Sequence, residues 1–166
     1  MAFTIHRPAA ADWERFRELR LRMLADTPIA FGETLEQSLL YIDEEWQIRA
    51  ANANAGDSAA VVAVAEDGEW IGIMRGYRST QRGPMLVGVF VDPRHRGSQA
   101  GVADALLDGI IDWAREMGSP VLRLDVHAEN PRAIAFYRRR GFAPTGKILP
   151  YALPPYGDEV EMELRL

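Results

Sequence analysis

The sequence predicts a mixed α/β fold, with a central sheet of about seven strands and about four helices in the order β-α-α-β-β-β-α-β-α-β-β. Three observations lead there. Apolar residues recur at helical spacing in the first third of the chain, the period changes to short apolar strands after residue 58, and strand and helix then alternate through the second half.

The opening Phe3-Thr4-Ile5-His6 reads as a short strand closed by Pro8. Over residues 10–26, Trp13, Phe16, Leu19, Met23 and Leu24 recur at helical spacing. Thr27-Pro28 stops that helix, because a residue before proline avoids the α region. A second helical stretch starts near Thr34, whose spacing to Gln37 suits a capping box, and runs with a break near Asp43 to about residue 51. Strands 59–66 and 69–77 flank Asp67-Gly68, a two-residue hairpin signal.

A third apolar strand, 85–91, ends at Asp92-Pro93, and a long helix follows over about 99–117 with Gly118 as its left-handed terminator. Strand 121–126 carries Leu122, Leu124 and Val126 on one face. Asn130 and Pro131 suit an N-cap and first helical position, since asparagine accepts a first-turn N–H and proline has none to leave orphaned. That helix ends at Gly141, strand 142–147 follows, and a Pro/Tyr-rich loop leads to 159–166, where Val160, Met162, Leu164 and Leu166 alternate onto one face.

Composition narrows the function classes. At 166 residues, with no linker that would divide it, the chain reads as one domain, 1–166, able to bury a substantial core. It has no cysteine, which excludes disulfides, thiolate zinc sites and a cysteine nucleophile. No apolar run approaches the roughly 20 residues that span a bilayer, and the N-terminus lacks the pattern of a secretory signal, so the expected location is the cytoplasm, with no membrane partner. A net charge of -5 argues against a nucleic-acid partner, which calls for a basic stripe. It is compatible with a cationic acceptor, although ordinary acidic solubility explains it as well.

The segment between strand 85–91 and the following helix reads Val91-Asp92-Pro93-Arg94-His95-Arg96-Gly97-Ser98-Gln99-Ala100-Gly101-Val102-Ala103. A strand, a glycine-containing turn and a helix N-terminus make an anion site, because backbone N–H groups converge there and the dipole favours negative charge. Arg94 and Arg96 add cations suited to phosphates. This loop resembles the phosphate loop of the GNAT N-acetyltransferase family, Gln/Arg-x-x-Gly-x-Gly/Ala. Counted from the strand, Gln99 stands where the first glycine belongs; counted back from the helix, Ser98-Gln99-Ala100-Gly101-Val102-Ala103 fits, in a loop about two residues longer than usual. Further on, Asn130-Pro131-Arg132-Ala133-Ile134-Ala135-Phe136-Tyr137-Arg138-Arg139-Arg140-Gly141-Phe142 is similar to the family's Asn-x-x-Ala-x-x-(Leu/Phe)-Tyr-x-x-x-Gly-Phe at each fixed position. The resemblance covers about residues 59–166 and extends to the first helix and the Pro28-Ile29-Ala30-Phe31-Gly32 turn.

The resemblance implies a largely antiparallel sheet and transfer of an acetyl group from acetyl-CoA to a primary amine of a small molecule or peptide, by direct attack in a ternary complex and without a metal. It further implies that the main chain of Val89, Phe90 and Val91 holds the pantetheine arm, and that Arg96, Gly97, Ser98, Gln99, Ala100, Gly101, Val102 and Ala103 form the diphosphate seat. Asn130 then contacts the cofactor arm and Tyr137 protonates the leaving sulfur, although an N-cap and a core aromatic are the competing structural accounts of the two. Phe31 and Glu33 fall on the acceptor side, as an apolar wall and a partner for a cationic amine, with core packing and a solvated loop position as the competing accounts. A homodimer is compatible with the sequence.

The strand before the phosphate loop lacks the glutamate base of many family members, which leaves His127, in a polar row with Arg123 and Asp125, or a more distant carboxylate reached through water. The run Arg138-Arg139-Arg140 reads as a solvated helix face, with one arginine available to the adenosine 3′-phosphate. The altered loop and the missing glutamate also admit a catalytically silent acyl-CoA-binding module of the same fold.

Overall fold

The structure, a computed structural model, describes residues 2–97 and 99–166. Seven strands form one sheet: β1 (Phe3–His6), β2 (Ser58–Ala65), β3 (Trp70–Ser79), β4 (Gly83–Val91), β5 (Val121–His127), β6 (Ala143–Pro150) and β7 (Asp158–Arg165). Their spatial order is β1-β2-β3-β4-β5-β7-β6. Every neighbouring pair is antiparallel except β4 and β5. The parallel step needs a crossover, and the long helix between the two strands supplies it.

Among the described residues five α-helices accompany the sheet: α1 (Trp13–Asp26), α2 (Leu35–Leu39), α3 (Asp43–Asn52), α4 (Val102–Glu116) and α5 (Pro131–Arg139). The expected four become five because the break near Asp43 is complete. Ile42 adopts an extended N-cap conformation, its N–H donates to the Glu45 carboxylate, and Asp43, Glu44 and Glu45 favour a fresh helix start through the dipole. Thr34 caps α2 as its spacing to Gln37 predicts. The β2–β3 connection differs from the expected two-residue turn. Ala65 and Glu69 close a three-residue loop, with Gly68 in the left-handed position that such a loop requires.

β2 is buried on both faces, so its residues divide between two cores. Ala59, Val61 and Ala63 join Leu106, Leu107, Ile110 and Trp113 of α4, together with Leu122, Leu124, Val126 and Met162. Ala60 and Val62 face the other way, onto Phe16, Leu19 and Met23 of α1 and Trp46 of α3, with Ile73 and Phe90. At Gly76, β3 passes so close to α4 that an added Cβ would lie 2.4 Å from the Trp113 ring.

Beyond β4 the two faces differ. Leu122, Leu124, Val126 and Met162 point to the α4 side, so Arg123, Asp125 and His127 of β5 and their register partners Glu163, Glu161 and Glu159 of β7 share the opposite face. The polar row foreseen on β5 is therefore satisfied across strands. Arg123 pairs with Glu163 at 2.7 Å, and Arg82, from the β3–β4 turn, binds Asp125 at 2.6 and 2.8 Å and also Glu161.

Candidate active site

The two parallel strands pair only at Met85 and Arg123. Past that point they separate, and Val87–Val91 of β4 loses a neighbour on one side. A bulge acts at the same place: Gly88 and Val89 together oppose the single residue Met74 of β3, with Gly88 at φ +59°. Bulges re-aim the main chain of the strand that carries them. Nothing in the apolar run 85–91 signals this except Gly88 itself.

A cavity of about 600 Å³ fills the gap. On the α4 side it is lined by Ala103, Asn130, Ala133, Phe136 and Tyr137; on the other side by Phe31, Tyr77, Asp125, His127 and Glu159. Val89, Phe90, Val91, Arg96 and Gly97 complete the wall between them. The structure thus brings together most of the residues singled out from the sequence. Gln99, Ala100, Gly101 and Val102 lie beyond that lining, and Ser98 lies outside the described residues.

The phosphate loop begins with Asp92, whose carboxylate accepts the Arg94 N–H at 3.0 Å and caps the one-turn helix Pro93–His95. Gly97 (φ +111°) and Gly101 (φ +71°) take conformations that side chains resist. The Ala100 N–H closes a turn onto the Gly97 carbonyl, and Gly101 is the N-cap of α4. The helix therefore starts at Val102 and not near Gln99, because Gly101 is left-handed. The first-turn N–H groups from Val102 onward have no carbonyl within the helix to bond and face the loop.

Both arginines of the loop are already paired, contrary to the expectation that their charge serves phosphates. Arg94 binds Asp92 and Glu69, while Arg96 binds Asp26 and donates to the Val91 carbonyl at 2.7 Å. The run 138–140 is likewise not all solvated: Arg139 and Arg140 bind Asp104, and Arg140 also reaches Asp108, tying α5 to α4. Arg132, exposed on α5 at the cavity, makes no ion pair with a described residue; only its position one turn before Phe136 could have drawn attention to it.

Asn130 is both things its sequence position suggests. Its Oδ1 accepts the Ala133 N–H at 3.2 Å as an N-cap, and the residue lines the cavity. Tyr137 is 5% exposed, packed at a steep angle against the Phe142 ring. Burial pushes its phenol pKa well up, so it stays protonated and able to donate.

His127 does not fit a base. Its Nδ1 accepts the Glu129 N–H at 3.1 Å, which leaves the proton on Nε2 to donate to the Tyr156 carbonyl at 2.7 Å. Glu33 does not line the main cavity and does not fit an amine anchor. It stands in a separate surface recess, where Arg20 and Arg49 each bond to its carboxylate. Burial pushes its pKa up, but bonds from Arg49 and Arg20 prevail and hold it at about 2.

A sequence profile of the acetyltransferase (GNAT) family matches residues 13–142. The chain belongs to that family. Among its relatives, aminoglycoside N(6′)-acetyltransferase type 1 of Stenotrophomonas maltophilia is 32% identical over 91% of this chain and 93% of its own length. Streptothricin acetyltransferase of Streptomyces lavendulae is 36% identical over 56% of this chain and 49% of its own length. A Salmonella typhimurium putative acetyltransferase, solved with acetyl-CoA, superposes with a TM-score of 0.78 at 21% identity, over the whole of this chain and 95% of that one. At that identity the likeness speaks to the fold, which for a GNAT acetyltransferase is the split sheet described above. Among the described residues no helix is long and apolar enough to cross a membrane.

Proposed function

We propose that this chain transfers an acetyl group from acetyl-CoA to a primary amine of a small molecule by direct attack, with both substrates bound at once. The observation that carries the reading is the cavity between β4 and β5, lined from both faces of the sheet. A cavity with walls on both faces of the sheet has room for an acyl donor against one and an amine against the other, which a ternary mechanism needs and a simple binding module does not.

The residues present suit coenzyme A. The free main-chain edge of Val89, Phe90 and Val91 can pair with an amide-bearing arm as with an added strand. The N–H groups of Gly97 and of residues 99–103, at the start of α4, suit a diphosphate, and Arg132 suits a further phosphate. Bound there, acetyl-CoA supplies an activated acyl group on sulfur. The bulge at Gly88 aims a β4 N–H to polarise the acyl carbonyl. Tyr137, kept protonated by burial, donates to the departing sulfur, and the Asn130 amide group, beyond its capping bond, contacts the arm. Phe31 forms an apolar wall on the acceptor side.

The names of the relatives support a cationic acceptor of aminoglycoside or streptothricin type. Calorimetric titration with acetyl-CoA, followed by thiol release across a panel of such amines, tests the reading. Binding with turnover on at least one amine is expected; binding with no turnover on any of them would leave a silent CoA-binding module.

A further inference from the structure

The carboxylates of the cavity divide into held and unheld. Asp104 is clamped by Arg139 and Arg140, and Asp125 accepts two bonds from Arg82. The third, Glu159 of β7, lines the same cavity, is half-buried and makes no ion pair with a described residue. Its register partner is His127, whose two ring nitrogens are both engaged.

We propose that Glu159 is the general base of this enzyme: it binds the acceptor as an ammonium ion and takes its proton. The inference rests on the acetyltransferase reading above. Tyr137 belongs to the core on the α4 face, while Glu159 shares the opposite face with Asp125 and His127. The proton donor and the proton acceptor thus flank the gap from opposite faces of the sheet, one available to the leaving sulfur and the other to the incoming amine.

The titratable and charged groups facing Glu159 are Asp125 and His127 of β5, Arg82 of the β3–β4 turn and Tyr151 of the β6–β7 loop. Arg82 is shared between Asp125 and Glu161, so this face keeps an excess of negative charge that attracts a cation. Burial first, and the Asp125 charge second, raise the Glu159 carboxyl above its ordinary value, which makes its carboxylate a stronger proton acceptor than a free one.

The ammonium gives one proton to the Glu159 carboxylate, and the freed lone pair forms the C–N bond at the acyl carbon. The C–S bond breaks with its electron pair on sulfur, which takes the Tyr137 proton. The nitrogen's second proton restores the phenol by way of solvent, and Glu159 releases its own to solvent. The net products are amide, thiol and one proton.

The test is Glu159→Gln, with kanamycin and propylamine as acceptors and thiol release as the readout. Wild-type kcat/KM is expected to show an acid limb. The variant is expected to lose about 100-fold or more in kcat near neutral pH, and to show only the slope of the amine's own deprotonation. Its acetyl-CoA affinity and melting temperature stay near wild type, and Glu159→Asp recovers part of kcat. A variant that keeps kcat, or raises only KM, would overturn the base while leaving the acetyltransferase intact. A wild-type protein that binds no acetyl-CoA, or acetylates neither amine, would overturn the proposal together with the reading beneath it.

Discussion

Replacing Glu33 by glutamine removes the carboxylate around which guanidinium groups of three elements gather. Arg20 of α1 donates to Oε2 at 2.8 and 3.1 Å, and Arg49 of α3 donates to Oε1 at 2.9 Å. Arg75 of β3 lies near enough that burial, then Arg20 and Arg49, disfavour its charged form, while Glu33 favours it. The carboxyl titrates at about 2 in the fold against 4.5 when free. A depressed pKa contributes stability above the unfolded value and loses it as pH falls through the folded one. That difference amounts to about 3 kcal/mol at pH 7 and about 1 kcal/mol at pH 3. The side chain is 12% exposed, so solvent screens little of this. Urea unfolding of Glu33→Gln should therefore show a loss of about 3 kcal/mol at pH 7 that shrinks by more than half at pH 3. An equal loss at both pH values would refute the electrostatic account and make Glu33 a packing residue only.

Three further outcomes follow from the same geometry. Tyr137→Phe should lower kcat by about 100-fold or more and keep acetyl-CoA affinity by calorimetry; an unchanged kcat removes the phenol from the acid role. At Gly101 an added Cβ meets no described atom within 4 Å, but Gly101→Val forces a branched side chain to φ +71° at the start of α4. A strain of about 1–2 kcal/mol should weaken acetyl-CoA binding roughly tenfold, and unaltered affinity would mean the diphosphate sits elsewhere. Gly76→Ala drives a methyl into the Trp113 ring and should cost about 1–3 kcal/mol in urea unfolding. Its kcat should be unchanged, because Gly76 lies outside the cavity.

The elements were legible wherever one residue's local chemistry decides them. Thr34 and Gln37 cap a helix by reaching each other, Asn130 and Pro131 begin another, and Val160, Met162 and Leu164 alternate whatever they face. Boundaries failed where a main-chain angle decided the matter. The start of α4 depends on Gly101 being left-handed, and a glycine reads the same in either conformation. The bulge at Gly88 escaped for the same reason: an apolar run with one glycine is also an unbroken strand.

The site divides along a similar line. Asn130 and Tyr137 are legible as neighbours on the cavity wall because they lie seven positions apart along α5 and its cap, a local relation that sequence preserves. Partnership between distant segments leaves no such trace. Arg94 and Arg96 looked like phosphate ligands until Glu69 and Asp26, from separate elements, were found against them. Glu33 looked free until α1 and α3 each brought it an arginine. Glu159 is the converse case. The alternation of β7 places it away from the core, where a surface glutamate is unremarkable. Only the return of β7 beside β5, with Arg82 engaging Asp125 and Glu161 but not Glu159, makes it the carboxylate left to meet an amine.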